Sequence, residues 1–259
     1  MSDLPRRLWQ ARQTGTVIAV ADGTQPAGIE EAYAIQRQIV TLSGAKIRGF
    51  KIGSTSIEAQ RLLGTTEPGS AALLDPYVYE SPAVVAISPL HMAAVEGEFA
   101  FKLGRDLPAR PAPYTRDEVV AAVDAVAGAI EVVGTRFAGG LAGKGRLLTT
   151  ADGGVNIGCV FGRWFRDWRT LDMPAHAVAM HINGKTVGTG TGSRALGDPV
   201  NVLLWLAEQQ SRLGRGLFAG EMISTGTCTG LDAVLAEDRA VADFGRLGTV
   251  EIEFRNFQA

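Results

Sequence analysis

Glu96 and Glu98 stand on either side of Gly97 in AVEGEFAFKLGRDL (94–107), a stretch that is otherwise mostly apolar. In a β-strand, side chains alternate faces, so both carboxylates point the same way with Cβ atoms roughly 7 Å apart. Their longer arms can converge, and burying them together is costly unless a proton, a basic partner or a cation lies between them. The same spacing recurs in TVEIEF, where Glu251 and Glu253 share a face with Thr249 and Arg255 while Val250, Ile252 and Phe254 form the other. That is the pattern of a half-solvated strand, so spacing alone does not separate a site from a surface. Glu131 adds weight, because it sits in AIEVV with apolar neighbours on both faces of its predicted strand. A lone carboxylate there would have to be protonated, paired with a base, or joined to other acids around a hard cation. Three carboxylates with water completing the shell suit Mg²⁺ or Mn²⁺ rather than zinc. Lys51, in GFKIGST, is the next candidate. By itself it reads as a surface lysine; beside a divalent metal it could orient an anion or move a proton.

Other chemistries find little support. GGLAGKGR (139–146) has no glycine five residues before Gly143 and no Ser or Thr after Lys144, so it reads as a mobile loop and not a phosphate cradle. GTGTGSRALG (188–197) does not fit the spacing of a dinucleotide-binding turn. His91, His176 and His181 share no metal-ligand spacing, and no nucleophile turn accompanies them. Cys159 and Cys228 lie far apart, which suggests two buried thiols and neither a disulfide framework nor a zinc site. The net charge of −2 and the scattered basic residues argue against a nucleic-acid partner. No window approaches the roughly 20 apolar residues of a membrane span, and the N-terminus lacks an apolar run after its arginines, so the expected location is the cytoplasm.

The elements that must position these residues follow from periodicity. Residues 24–42 predict a helix, 46–53 a short strand and 56–64 a second helix. The strand at 93–103 carries Glu96 and Glu98. Thr115 and Glu118 have capping-box spacing, and Val119, Val120, Val123 and Val126 extend one face of a helix over 116–127. GAIEVVGTRF (128–137) reads as a strand. Asn183-Gly184 marks a hairpin, and Asp198-Pro199 caps a helix running to Gly214. Many short strands with few helices, not regularly alternating, indicate an α+β or mainly β fold rather than a doubly wound sheet.

Together, EEAYAIQ (30–36), GFKIGSTS (49–56), VEGEFAFKLGRDL (95–107), AIEVVGTRF (129–137), LGDPVNVLLWLA (196–207) and ADFGRLGTVEIEF (242–254) resemble the 2-keto-4-pentenoate hydratase branch of the fumarylacetoacetate hydrolase superfamily, which also holds the 4-oxalocrotonate decarboxylases. The resemblance covers nearly the whole chain. It implies an α+β fold with a mixed β-roll core. An N-terminal helix-rich segment (1–70) would precede a β-roll catalytic domain (71–259), assembled as a homo-oligomer.

The resemblance further implies metal ligands at Glu96, Glu98 and Glu131, catalytic roles for Lys51 and Asp75, and substrate contacts from Ser54, Asn156 and Thr227. The cofactor would be Mg²⁺ or Mn²⁺ and the substrate a small 2-oxo or 2-hydroxydienoate acid from the catabolism of aromatic compounds. Hydration of 2-hydroxypenta-2,4-dienoate is the first expectation. Decarboxylation of a 4-oxalocrotonate-like diacid, hydrolysis of acylpyruvates and a catalytically silent partner subunit follow in that order. Two departures matter. DGGVNIG (152–158) puts Val155 and Asn156 where the hydratases commonly carry small hydroxyl residues, and no histidine precedes His91, which counts against hydrolysis.

Overall fold

The computed structural model of the protein describes residues 3–21 and 24–258. The chain opens with helices α1 (Leu4–Thr14) and α2 (Ile29–Ser43), strand β1 (Ile47–Gly53), helix α3 (Ile57–Leu63) and strand β2 (Gly69–Leu74). Short strands β3 (Val78–Glu80) and β4 (Ala83–Ile87) lead to the long β5 (Ala94–Leu103), then α4 (Arg116–Ala122) and β6 (Val123–Val133). Helix α5 (Gly145–Ala151), strand β7 (Asn156–Phe161) and the hairpin β8 (Ala177–Ile182) and β9 (Lys185–Thr191) follow, with α6 (Pro199–Arg212) behind them. The chain closes with β10 (Met222–Thr227), β11 (Asp232–Ala233), β12 (Arg239–Asp243) and β13 (Thr249–Asn256).

The strands form two sheets, as an α+β fold requires. One runs β2-β1-β10-β5-β6-β7-β3, with β11 added at the end of β5; the other runs β4-β13-β12-β8-β9. The main core lies between them: Phe99 of β5 meets Phe244, just after β12, edge to face at 5.6 Å. The opposite face of the first sheet carries a smaller apolar cluster that includes Leu73, Ala100, Ala129, Cys159, Phe161 and Met222. Residues up to 70 supply α1, α2 and α3 and also β1, which pairs with β2 and, in parallel, with β10.

Local chemistry explains most boundaries. The Asn183-Gly184 turn has positive φ at both positions, 51° and 77°, as the tight hairpin demands. Asp198 caps α6 by accepting from the Val200 N–H at 2.9 Å, and the Thr115–Glu118 capping box starts α4. Two boundaries differ from the sequence reading. The helix expected over 24–42 begins at Ile29, after an extended Gly28. The helix expected over 116–127 stops at Ala122 because Val123 and Val126 belong to β6, whose valines pair with β5. Helix α1 was not foreseen; its buried Leu4, Leu8 and Ala11 follow helical spacing, and Leu4 and Leu8 pack with Ala32 and Ile35 of α2 and with Phe137 and Leu148.

Candidate active site

Register gathers the site. β5 and β6 pair so that Glu96 lies directly opposite Glu131, and Glu131 in turn lies opposite Cys159. On the other side, Glu98 pairs with Thr227 of β10, and Ser224 of β10 pairs with Lys51 of β1. The period of two then puts Glu96, Glu98, Glu131, Ser224 and Lys51 on one sheet face. One carboxylate oxygen from each glutamate lies within 4.8 Å of the other two. Glu98 and Glu131 are fully buried and Glu96 is half-buried at the edge of a cavity of about 640 Å³.

Each acid has its own support. Glu98 Oε2 accepts from the Ser224 hydroxyl and from the Gly226 N–H at 3.0 Å. Glu131 Oε1 accepts from Asn156 Nδ2 at 2.8 Å, and its Oε2 faces Lys51 Nζ at 3.0 Å. Lys51 is 4% exposed, not the surface lysine its local sequence suggests, and it also donates to the Gly154 carbonyl at 3.0 Å. Gly154 has φ 63°, and a Cβ there would lie 3.0 Å from the Ala71 side chain and 3.2 Å from Lys51 Cδ. A side chain at that position would crowd the lysine it holds. Behind β5, a Cβ at Gly97 would come within 3.1 Å of Thr229, whose hydroxyl accepts from the Gly97 N–H. The glycine between the two acids thus lets the 228–229 segment close on the back of the strand.

The electrostatics follow from packing three acids around one base. Burial, then the charge of Glu131, pushes Glu96 up to about 7, against the pull of Lys51. Burial and the charges of Glu131 and Glu96 carry Glu98 well above the ordinary carboxylate range. Burial also raises Glu131, with Lys51 and Asn156 opposing. Burial would lower Lys51, but the combined charge of Glu131, Glu96 and Glu98 outweighs it and holds the ammonium above its usual value. One cation faces three carboxylates, and Glu98 Oε1 is buried with no hydrogen-bond partner. An all-oxygen donor set, an orphaned carboxylate oxygen and access through Glu96 fit a hard divalent cation.

A second buried pair frames this centre. Asp152 accepts from Arg136 Nε at 2.6 Å, from the Arg136 N–H and from the Thr135 hydroxyl, both at 2.9 Å. It ties the end of β6 to the turn that presents the Gly154 carbonyl. Arg12 of α1 reaches the carbonyls of Asn156 and Ile157 at 2.6 and 2.7 Å; burial and the nearby Arg136 pull its guanidinium down to about 10. The unforeseen helix therefore braces the strand that delivers Asn156.

The residues singled out from sequence separate into groups. Lys51, Ser54, Glu96 and Thr227 line the cavity, with Glu98 and Glu131 behind Glu96. Asn156 lies off the cavity wall, and its amide orients Glu131 rather than facing a substrate. Asp75 is not brought to the site: on a short turn after β2, its half-exposed carboxylate pairs with Arg48 at 2.8 Å. Its local position gave no sign that β2 ends at the surface. The histidines stay outside as well, bound to Thr16 (His91), Phe244 (His176) and Thr186 (His181). Sequence reasoning missed Arg146 and Arg194, which both line the cavity. Each sat in a glycine-rich stretch set aside because its glycine spacing matched no phosphate motif, and the arginine itself went unweighed.

The chain also resembles known proteins. The model of the fumarylacetoacetate (FAA) hydrolase C-terminal family matches residues 59–255. The chain is 36% identical over 256 residues to a 2-keto-4-pentenoate hydratase of Paraburkholderia xenovorans (strain LB400), covering 97% of this chain and 93% of that one. It is 32% identical to a 2-hydroxyhexa-2,4-dienoate hydratase of Comamonas testosteroni, over 96% of this chain and 95% of the relative. Among solved structures, 4-oxalocrotonate decarboxylase from Pseudomonas putida G7, complexed with magnesium and adipate, superposes with a TM-score of 0.88 at 26% identity, covering 97% and 95% of the two chains.

Proposed function

The chain belongs to the fumarylacetoacetate hydrolase family, and on that premise we propose that it is a divalent-metal-dependent hydratase, a lyase that adds water to 2-hydroxypenta-2,4-dienoate or a related 2-oxo-enoate. The observation that carries this reading is the convergence of Glu96, Glu98 and Glu131, with an orphaned oxygen on Glu98, beside a cavity also faced by Lys51. The naming of relatives at 32–36% identity as dienoate hydratases supports it.

Held by the three glutamates, Mg²⁺ or Mn²⁺ would supply Lewis acidity and a template for the substrate's carboxylate and 2-oxygen. The chain's own residues do the rest. Glu131, fixed by Asn156, keeps Lys51 charged at the cavity wall. There the Lys51 ammonium can hold the developing charge at the 2-oxygen and pass a proton. Ketonisation takes the proton from the 2-hydroxyl and places one on C5, leaving a 3,4 double bond conjugated with the new carbonyl. Water then adds its hydroxyl at C4 and a proton at C3, so one water is consumed and no redox change occurs. Ser54 and Thr227 line the same cavity.

The test is ultraviolet monitoring of dienol consumption with product identification, with and without added Mg²⁺. The expected result is metal-dependent loss of the dienol and formation of 4-hydroxy-2-oxopentanoate. Full activity after extensive chelation would sink the reading. The superposition on 4-oxalocrotonate decarboxylase favours a second reading, decarboxylation of a 2-oxo diacid. Carbon dioxide release from such a diacid, with no hydrated product, would select it.

A further inference from the structure

The cavity is larger than a five-carbon acid needs, and its charges are not all gathered at the glutamates. Arg146, at the start of α5, faces the same space from a separate wall. Its guanidinium lies flat on β2 at Gly69, where a Cβ would fall 2.3 Å from Nη1 and 2.5 Å from Cζ, so the missing side chain makes its seat. One Nη2 hydrogen bond to the Pro68 carbonyl fixes it, and Nη1 stands 3.5 Å from the Ser54 hydroxyl. Nε is buried with no hydrogen-bond partner, and no carboxylate among the described residues pairs with this arginine. A half-buried, positioned guanidinium that faces a cavity without an acidic partner calls for an anion from outside the chain.

Its place along the sheet sets what that anion belongs to. β1 and β2 pair Lys51 with Ala71 and Gly53 with Gly69. Arg146 thus sits over the pair two residues beyond Lys51, about 7 Å along the strand. An extended six-carbon diacid covers that length, with its 2-oxo-acid head at the glutamates and Lys51. We propose that Arg146 is a specificity-determining residue that binds a second, distal carboxylate, so that a 2-oxo acid carrying one binds more tightly than its monoacid counterpart. This rests on the reading of the site as one for 2-oxo acids.

Binding of two matched, unreactive probes separates the possibilities: 2-oxoadipate and 2-oxohexanoate share length and head and differ only in a terminal carboxylate or methyl. Calorimetric titration of the Mg²⁺-loaded protein should give 2-oxoadipate an advantage of about tenfold or more. Arg146→Leu should erase that advantage while leaving 2-oxohexanoate affinity unchanged, and Arg146→Lys should keep part of it, with thermal melts reporting whether each variant is folded. Equal affinity for the two probes in the wild type overturns the proposal and leaves the 2-oxo acid reading standing. So does an equal loss of both probes in folded Arg146→Leu or Arg146→Lys, because the arginine then serves the shared head. Failure of both probes to bind the metal-loaded wild type overturns both, and failure of 2-oxoadipate alone overturns only the proposal.

Discussion

The strand bearing Glu96 and Glu98 and the strand bearing Glu251 and Glu253 have the same acidic spacing and opposite surroundings. β5 lies inside its sheet, with β10 and β6 alongside, and is covered on both faces. β13 is flanked by β12 and β4, but its residues alternate between buried and open positions. Glu251 and Glu253 therefore keep side-chain exposures of 34% and 57% and pair with the surface arginines 239 and 255. Glu98 and Glu131 are wholly buried and share one lysine among three acids. Two acids on a strand lose their water when both faces of the sheet are covered, and on β5 a third acid also arrives across the ladder. On β13 neither happens.

That contrast can be broken directly. The largest effect is expected from Glu98→Gln or Glu131→Gln, which should lower metal-dependent dienoate turnover by about a thousandfold or more, since several kcal/mol of charge stabilisation is removed. Glu253→Gln should change turnover by less than about twofold and stability by less than about 0.5 kcal/mol. Comparable losses at both strands, read in the same kinetic assay, would erase the distinction. Next comes Lys51→Met, which leaves Glu131 buried without its cation. In metal-free protein this should cost about 3 kcal/mol in denaturant unfolding, and an unchanged midpoint would show that Lys51 does not neutralise the cluster.

A smaller effect sharpens the comparison through pH. Glu96, raised to about 7 from the 4.5 of an ordinary glutamate, retains its proton across this window in the metal-free fold. The unfolded chain binds fewer protons there, so metal-free protein should lose stability as pH rises from about 4.5 through about 7. A cation must displace that proton, so apparent Mg²⁺ affinity should climb with pH by about tenfold per unit below about 7 from Glu96 alone, and more steeply because Glu98, raised further, must also release a proton. Calorimetry across that range checks the slope; a flat profile would mean that the acids bind metal without proton release. The smallest effect is Asn156→Ala, which frees Glu131 Oε1 and should weaken Mg²⁺ binding by about tenfold while leaving the fold intact.

How much of this was visible in the chain varies with distance. The hairpin at Asn183-Gly184, the caps at Asp198 and Thr115, and the shared face of Glu96 and Glu98 depend on neighbours within a few residues, and all were legible. The fate of Val123 and Val126 was not, because valines at those positions serve a helix or a strand equally well and pairing with β5 decides between them. Lys51 looked solvent-exposed because the residues that bury it, Gly154 and Glu131, are about eighty to a hundred positions away. Asp75 failed in the opposite sense: nothing local distinguishes an acid at the end of an inward strand from one that turns out to meet Arg48. Arg146 needed knowledge of Gly69 beneath it, a contact between positions that no periodicity links.

The family match spans residues 59–255 and so includes all three glutamates, whereas Lys51 precedes it. Lys51 nevertheless rides on β1, which is hydrogen-bonded between β2 and β10, so the base reaches the acids as part of the same sheet. The placing of the base and of the acids is therefore set by one ladder of hydrogen bonds, and a slip of β1 by a single residue would turn Lys51 to the opposite face.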